Sequence, residues 1–244
     1  MKIRTTLLSI LHRLAYLTSI FLPLPRMWEK LHSRDYHPNV EGIIERIISQ
    51  RALSSPSLFA RLGEQLDFYF DLKDKSVLEI GHGGGWYLAE ALDAGAKTVS
   101  GIEISEEINK RAKTALEKLD YGNFHLFLGN GKDLSVVRGS TFDLIFTITV
   151  LQHMPTRITK KYLRDIRGLL APGGICMIQT LNSYGSSMKR LSAADLFSVA
   201  YSKSEFDGLL AISGLQTIEY VSQDYGSDET YWGIYLVKTA VVSP

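Results

Sequence analysis

Apolar residues recur along this chain with two different spacings, and the change from one to the other divides it. Up to about residue 75 the spacing is helical. On a wheel of 100° per residue, Leu7, Ile10, Leu11, Leu14, Leu17 and Phe21 share one side, while Ser9, His12, Arg13 and Ser19 take the other with Tyr16. Pro23 and Pro25 end that segment. Ile43, Ile44, Ile47 and Ile48 repeat every three or four positions, as do Leu58, Phe59, Leu62, Leu66 and Phe70. The cluster Ser54-Ser55-Pro56-Ser57 stops one helix and starts the next. From residue 76, short apolar runs alternate with amphipathic stretches. Residues 77–80, 98–102, 124–128, 142–147 and 175–180 read as strands. Helices are predicted over 86–94, after Ser105 with an apolar face of Ile108, Ala112, Ala115, Leu116 and Leu119, and across Tyr162, Leu163, Ile166, Leu169 and Leu170 into a turn at 171–174. Ser202-Lys203-Ser204-Glu205 is a capping box that opens a helix to about Ile212. Two last strands, 215–222 and 231–238, flank a turn-rich stretch.

This order predicts an α/β fold: an open seven-stranded, mostly parallel sheet with helices on both faces, an antiparallel C-terminal hairpin and a helical N-terminal cap. Three regions follow: an arm over 1–34, the helical cap over 35–75 and the sheet domain over 76–244. Residues 182–200 read as an insertion after the fifth strand. Its glycines and serines, mixed with Tyr184, Met188, Leu191 and Phe197, suit a mobile lid or a surface connection that packs on its own.

Composition narrows the class. With 244 residues, 45% hydrophobic and 22% charged, the chain is ordinary for a globular intracellular protein. Its 27 basic and 26 acidic groups nearly cancel, so no global field draws in nucleic acid, and none is expected as a partner. The single cysteine, Cys176, excludes an internal disulfide framework and a cysteine-rich zinc site, and its apolar strand marks it as buried. The histidines form no metal-ligand grouping, and no metal is expected. The arm is the exception, with six basic groups against Glu29. His12-Arg13 and the prolines exclude a signal peptide, and the apolar run is too short to span a bilayer. Residues 5–22 then have two readings: a helix packed on its own domain or on a dimer partner, or a peripheral membrane contact by a cytoplasmic protein.

The chemistry concentrates where the first strand ends. In open α/β sheets ligands bind beyond the carboxyl ends of the strands. The loop there is Glu79-Ile80-Gly81-His82-Gly83-Gly84-Gly85, whose glycines let backbone turn sharply and approach a ligand. Glu103, at the end of the second strand and 22 residues beyond Gly81, can accept both ribose hydroxyl hydrogens. A nucleoside-containing ligand is therefore favoured over a bare phosphate. Trp86 stands where a dinucleotide fingerprint has its third glycine, and no Gly-Lys-Ser/Thr is present for a phosphate loop.

In these residues the chain resembles the seven-stranded, Rossmann-like (class I) S-adenosylmethionine-dependent methyltransferases. Glu79-x-Gly81-x-Gly83-x-Gly85 resembles that family's first motif, and Glu103 its ribose acid. Gly129-Asn130-Gly131, the segment Phe142-Asp143-Leu144-Ile145 into Val150–Pro155, and Leu169–Gly174 resemble its later motifs, together covering roughly 76–240. The resemblance implies S-adenosylmethionine as cofactor, with Glu79, Gly81, His82, Gly83 and Gly85 around its methionine and ribose and Glu103 on the ribose hydroxyls. It places Ile104 on the adenine, Asn130 and Gly131 at the adenine edge, and Thr147 near the methionine end. Asn130 departs from the usual aspartate, and the bulky His82 and Trp86 are expected to narrow the pocket mouth.

A sulfonium methyl needs an acceptor held in line more than it needs activation. His153, just past the fourth strand, is the candidate base, because an imidazole titrates near neutral pH. Tyr36 and His37 in the cap, and Asp224 in the last hairpin, are further candidates to cover or serve the pocket. No Asp/Asn-Pro-Pro-Tyr motif follows the fourth strand, which argues against base amino groups as acceptors. The expected activity is methyl transfer to a small-molecule, saccharide or lipid-linked acceptor. The alternative is a non-catalytic S-adenosylmethionine-binding protein that acts through partner or membrane interaction.

Overall fold

The computed structural model describes residues 38–52, 57–191, 197–224 and 229–240, the side chains of 188–191 and 197 excepted. The arm over 1–34, its reading as a membrane helix over 5–22, and Tyr36 and His37 lie outside the described residues.

The cap contributes two helices, α1 (Val40–Ala52) and α2 (Leu58–Leu66). The sheet domain runs β1 (Ser76–Ile80), α3 (Trp86–Asp93), β2 (Thr98–Glu103), α4 (Glu106–Lys118), β3 (Phe124–Leu128), β4 (Phe142–Ile148), α5 (Thr156–Leu169), β5 (Leu170–Ser183), β6 (Met188–Leu191), β7 (Phe197–Ser202), α6 (Lys203–Ile212), β8 (Leu215–Asp224) and β9 (Thr230–Thr239). Strands β3-β2-β1-β4-β5 lie parallel in that order; β9 joins β5 antiparallel and β8 joins β9. These are the seven strands expected from the alternation.

Strands β6 and β7 correct the expectation for 182–200. β5 runs on to Ser183, three residues past the predicted end. β4 stops at Ile148, opposite Gln179, and β7 then pairs with the vacated edge of β5 through Asn182↔Tyr201 and Ser183↔Ser202. An open strand edge exposes unpaired backbone groups, and pairing satisfies them. The segment is therefore a hairpin seated beyond the end of β4. A second difference lies at 171–174: β5 begins directly at the end of α5, with Gly173 at φ 80° and a register shift between Phe142 and Leu144. The turn is a bulge within the ladder.

Side-chain alternation assigns the two faces. Leu78, Ile80, Ile145, Cys176 and Ile178 face α5 and α6 through Tyr162, Leu163, Ile166 and Phe206. Val77, Leu144, Phe146, Met177 and Ile234 face α2 and α3. Helix α2 is fixed there by Leu58, Phe59, Leu62 and Leu66, with Phe59 edge-on to Phe146 at a centroid distance of 5.2 Å. Its N-terminus is held twice: Ser57 Oγ accepts from Ala60 N at 3.2 Å, and Glu90 of α3 accepts from Leu58 N at 2.8 Å. Helix α1 buries Ile43 and Ile47 against Ala89, Ala115 and Leu116. At its far end the Arg51 guanidinium makes two 2.7 Å hydrogen bonds to the Asp93 carboxylate. The two cap helices thus roof one end of the α2/α3 face. Among the described residues no helix is long and apolar enough to cross a membrane.

Candidate functional site

The glycine loop is built from alternating left-handed backbone. Gly81, Gly83 and Gly85 have φ of 78°, 52° and 78°, which a side chain would strain. Gly81 N donates to Ile102 O at 2.7 Å and Gly85 N to His82 O at 2.8 Å, so the loop folds back toward β2. A Cβ at Gly81 would lie 2.3 Å from Val150 Cγ2. His82 turns its ring inward and is 1% exposed. The ring occupies a notch at Gly101, where a Cβ would come within 2.5 Å of His82 Cδ2. Its Nδ1 donates to Gly83 O at 2.9 Å, and its Nε2 lies 2.9 Å from Asn109 Oδ1 on α4. Burial shifts the imidazole below its usual pKa and so favours its neutral form, against the nearby Glu103. His82 therefore braces the loop while lining the cavity, and Trp86 lines it too, with the Arg46 guanidinium 3.8 Å from its ring centroid.

Glu103 ends β2 with its carboxylate buried. Oε1 accepts from Ile104 N at 2.7 Å and Ser105 N at 3.0 Å, and Oε2 accepts from Gly83 N at 3.1 Å. A carboxylate has about four acceptor positions. Three are occupied here, so Glu103 ties the glycine loop to the start of α4 and keeps one position for a ligand.

The remaining residues implied by the resemblance are placed differently. Asn130 Oδ1 accepts from Lys132 N at 2.7 Å and Asp133 N at 3.0 Å, while Nδ2 donates to Asp133 at 2.8 Å, so the side chain is engaged within its own loop beside Gly131. Thr147 is fully buried, and its hydroxyl donates to Ile80 O at 3.1 Å across β1 and β4. His153 lies 3.3 Å from Ser198 Oγ of β7 through Nδ1, and its Nε2 is 3.3 Å from Gln152 Nε2. None of Glu103, Ile104, Asn130, Gly131, Thr147 or His153 lines the principal cavity, nor does Asp224. Glu79, Gly81, His82 and Gly83 do.

That cavity, about 510 Å³, follows from strand register. Glu79 shares the pleat face of Val77, Ile148 that of Phe146, and Gln179 that of Met177. Gln223 lies opposite Trp232 in the last hairpin, one step further across the sheet. At the carboxyl ends of their strands these residues pass beyond the apolar packing and become a floor. Helices α1, α2 and α3 supply the roof through Arg46, Leu58, Arg61, Leu62, Trp86 and Tyr87.

Two buried oxygens on this wall have no hydrogen-bond partner among the described residues: Glu79 Oε2 and Gln179 Oε1. Buried polar atoms are ordinarily paired, so both await a donor. Burial, with Glu103 and Glu90 nearby, raises the Glu79 carboxyl well above the usual range and favours its neutral form. Thr149, also on the wall, holds φ at 58°, strained backbone for a β-branched residue. Among the described residues no group of three His, Cys, Asp or Glu could hold a metal.

Sequence reasoning missed Arg46, Arg61, Tyr87, Thr149, Gln179, Gln223 and Trp232. Only Gln179 carried a local signal, as a polar residue closing the run Ile175-Cys176-Met177-Ile178. The arginines lie on polar helix faces, where solvated side chains look the same.

A family described as a methyltransferase domain matches residues 77–174. The protein-L-isoaspartate O-methyltransferase 1 of Nitrosospira multiformis is 35% identical over 124 residues, covering 51% of this chain and 47% of its own. The ubiquinone biosynthesis O-methyltransferase of Thiobacillus denitrificans is 32% identical over 120 residues, 48% of each. The chain thus spans about half the length of these curated relatives. In fold it is similar to the Burkholderia thailandensis 1,6-didemethyltoxoflavin-N1-methyltransferase, solved with bound 1,6-didemethyltoxoflavin and S-adenosylhomocysteine. The TM-score is 0.62 at 16% identity, over 90% of this chain and 92% of that one.

Proposed function

We propose that this chain, whose residues 77–174 match a methyltransferase domain family, transfers a methyl group from S-adenosylmethionine to a small-molecule, saccharide or lipid-linked acceptor. The observation that carries this reading is the loop of left-handed glycines with the unpartnered Glu79 Oε2 at its root and the Glu103 carboxylate at its side. S-adenosylmethionine brings a nucleoside, an ammonium and a methyl on positive sulfur that is electrophilic as it stands. The residues present fit those parts. Gly81 and Gly83 give backbone approach without side chains, Glu79 Oε2 offers an acceptor to the ammonium, and the open position on Glu103 takes a ribose hydroxyl.

The chain's own task is to hold and orient. Binding two partners in register can supply roughly 7–11 kcal/mol of the barrier at the upper end. Leu58, Leu62 and Trp86 of the roof supply apolar surface over that alignment. His153 is held against β7 and lies off the cavity wall, so the reading runs on positioning and assigns it no proton transfer.

Calorimetric titration of S-adenosylmethionine and S-adenosylhomocysteine tests the cofactor, with micromolar binding of both expected. Absence of binding by folded protein would remove the methyltransferase reading. Binding without turnover across an acceptor panel would favour the non-catalytic alternative.

A further inference from the structure

We propose that the acceptor is an aromatic ring compound carrying a hydroxyl or ring N–H, and that Gln179 positions it by accepting that hydrogen bond. This deepens the methyl-transfer reading and rests on it.

Strand register puts Gln179 where packing alone calls for an apolar side chain. Across the sheet Gln179 of β5 lies between Ile148 of β4 and Ile234 of β9, and Val221 of β8 lies opposite Ile234. Gln179 is thus the amide in a row that is otherwise isoleucine and valine. It lines the cavity, and its Oε1 is buried with no partner among the described residues. An unpaired buried oxygen destabilises a fold, whereas an apolar side chain of the same size does not. The oxygen is therefore an acceptor offered to a ligand's O–H or N–H. An amide accepts a hydrogen bond without removing the proton, so Gln179 is a positioning residue.

The unpartnered oxygen of Glu79 is a separate position. Glu79 lies opposite Phe146, Phe146 lies opposite Met177, and Gln179 comes two positions later. Two strand spacings and two residue rises separate the Cα atoms of Glu79 and Gln179 by about 12 Å. With the cofactor ammonium at Glu79, Gln179 is left to the acceptor. Two more glutamines line the cavity, Gln65 of α2 and Gln223 of β8, and there Gln223 Nε2 donates to Gln65 Oε1. The surface that register sets beside Gln179 is apolar: Ile148 in its own row and Trp232, opposite Leu181, two positions beyond, with Leu62 in the roof. One open acceptor in such surroundings suits an aromatic body with one donor. A saccharide carries hydroxyls around its whole ring, and apolar walls leave most of them unpaired.

The test uses the full chain, and binding of S-adenosylhomocysteine is measured first. Failure at that stage removes the methyl-transfer reading itself. With that ligand saturating, the probes are pairs that differ in one donor: 2-naphthol against 2-methoxynaphthalene, and 2-quinolone against 1-methyl-2-quinolone. Methyl β-glucoside stands for a saccharide. At least one donor-bearing probe should bind about tenfold or more tightly than its methylated partner. Gln179→Leu should erase that difference without weakening the methylated probe or S-adenosylhomocysteine. A merely structural glutamine would move both members of a pair together. Gln179→Met, unbranched and of similar length, serves if the leucine variant fails to fold. In the ligand-free protein these variants should melt roughly 2–10 °C higher, because the unpaired oxygen is gone. Four results would overturn the proposal: no donor-bearing probe preferred over its methylated partner, a preference that survives in the variants, neither variant melting above wild type, or methyl β-glucoside bound more tightly than every aromatic probe.

Discussion

Glu103→Ala should weaken binding of S-adenosylmethionine and S-adenosylhomocysteine by about 10- to 150-fold. A hydrogen bond to a charged group is worth about 1.5–3 kcal/mol, and one such bond, to a ribose hydroxyl at the open position, accounts for that loss. A second consequence comes from the other face of the same carboxylate. Gly83 N, Ile104 N and Ser105 N all donate to it, and alanine leaves these donors without it. The ligand-free protein should therefore lose about 1–3 kcal/mol, a fall of roughly 2–10 °C in melting temperature. Glu103→Gln separates the two roles. Its amide oxygen can still accept from Ile104 and Ser105, while its NH₂ meets the Gly83 N–H donor to donor. That variant should keep most of the stability and lose much of the affinity. Calorimetry and thermal melts on the three proteins decide the matter. Unchanged affinity in the destabilised alanine variant would make Glu103 a loop tie alone and move the ribose elsewhere.

The second large effect concerns Glu79 and pH. In the ligand-free protein its carboxyl is raised and favours the neutral form, chiefly through burial and then through Glu103 and Glu90. An ammonium beside it favours the ionised form, so binding releases a proton. Affinity should then rise with pH until the ligand-free pKa of Glu79 is passed, and level off. Stability runs the other way. A group whose folded pKa lies above its unfolded value of about 4.3 contributes stability that is complete below that value and lost as pH rises through the folded one. The ligand-free wild type should lose stability across that window relative to Glu79→Gln, whose amide does not titrate. The variant should also bind S-adenosylmethionine roughly 10- to 150-fold more weakly, the worth of one charge-assisted hydrogen bond. Titrations in buffers of different ionisation enthalpy count the proton, which wild type should release and Glu79→Gln should not. Equal proton release by both proteins would place the ammonium away from Glu79.

Both effects concern residues that were visible in the chain before any fold was known. Glu79 and Glu103 stand at the ends of apolar runs, with glycines at set intervals between them. What the sequence did not reveal is that three of the acceptor positions on Glu103 hold the loop together, or that His82 fills the notch at Gly101. The Gly83–Glu103 bond and the His82–Gly101 contact join residues about twenty positions apart across two strands. The Thr147 expectation shows the same limit. Alternation turns that side chain toward Ile80 inside the sheet, and the neighbouring positions Ile148 and Thr149 reach the cavity.

The amino-acid sequence by itself determined seven of the strands with the helices between them, the parallel sheet with its antiparallel end, and the glycine loop with its two acids. These depend on periodicity and on backbone freedom within a few residues, and such information is local. Only the tertiary structure decided that β7 takes the open edge of β5, that Gln179 and Trp232 join one floor, and that Arg46 and Arg61 from the cap meet above it. Each depends on strand register or on how a helix docks. These are set by packing between distant segments, so an arginine in the cavity roof and one in solvent look the same in the chain.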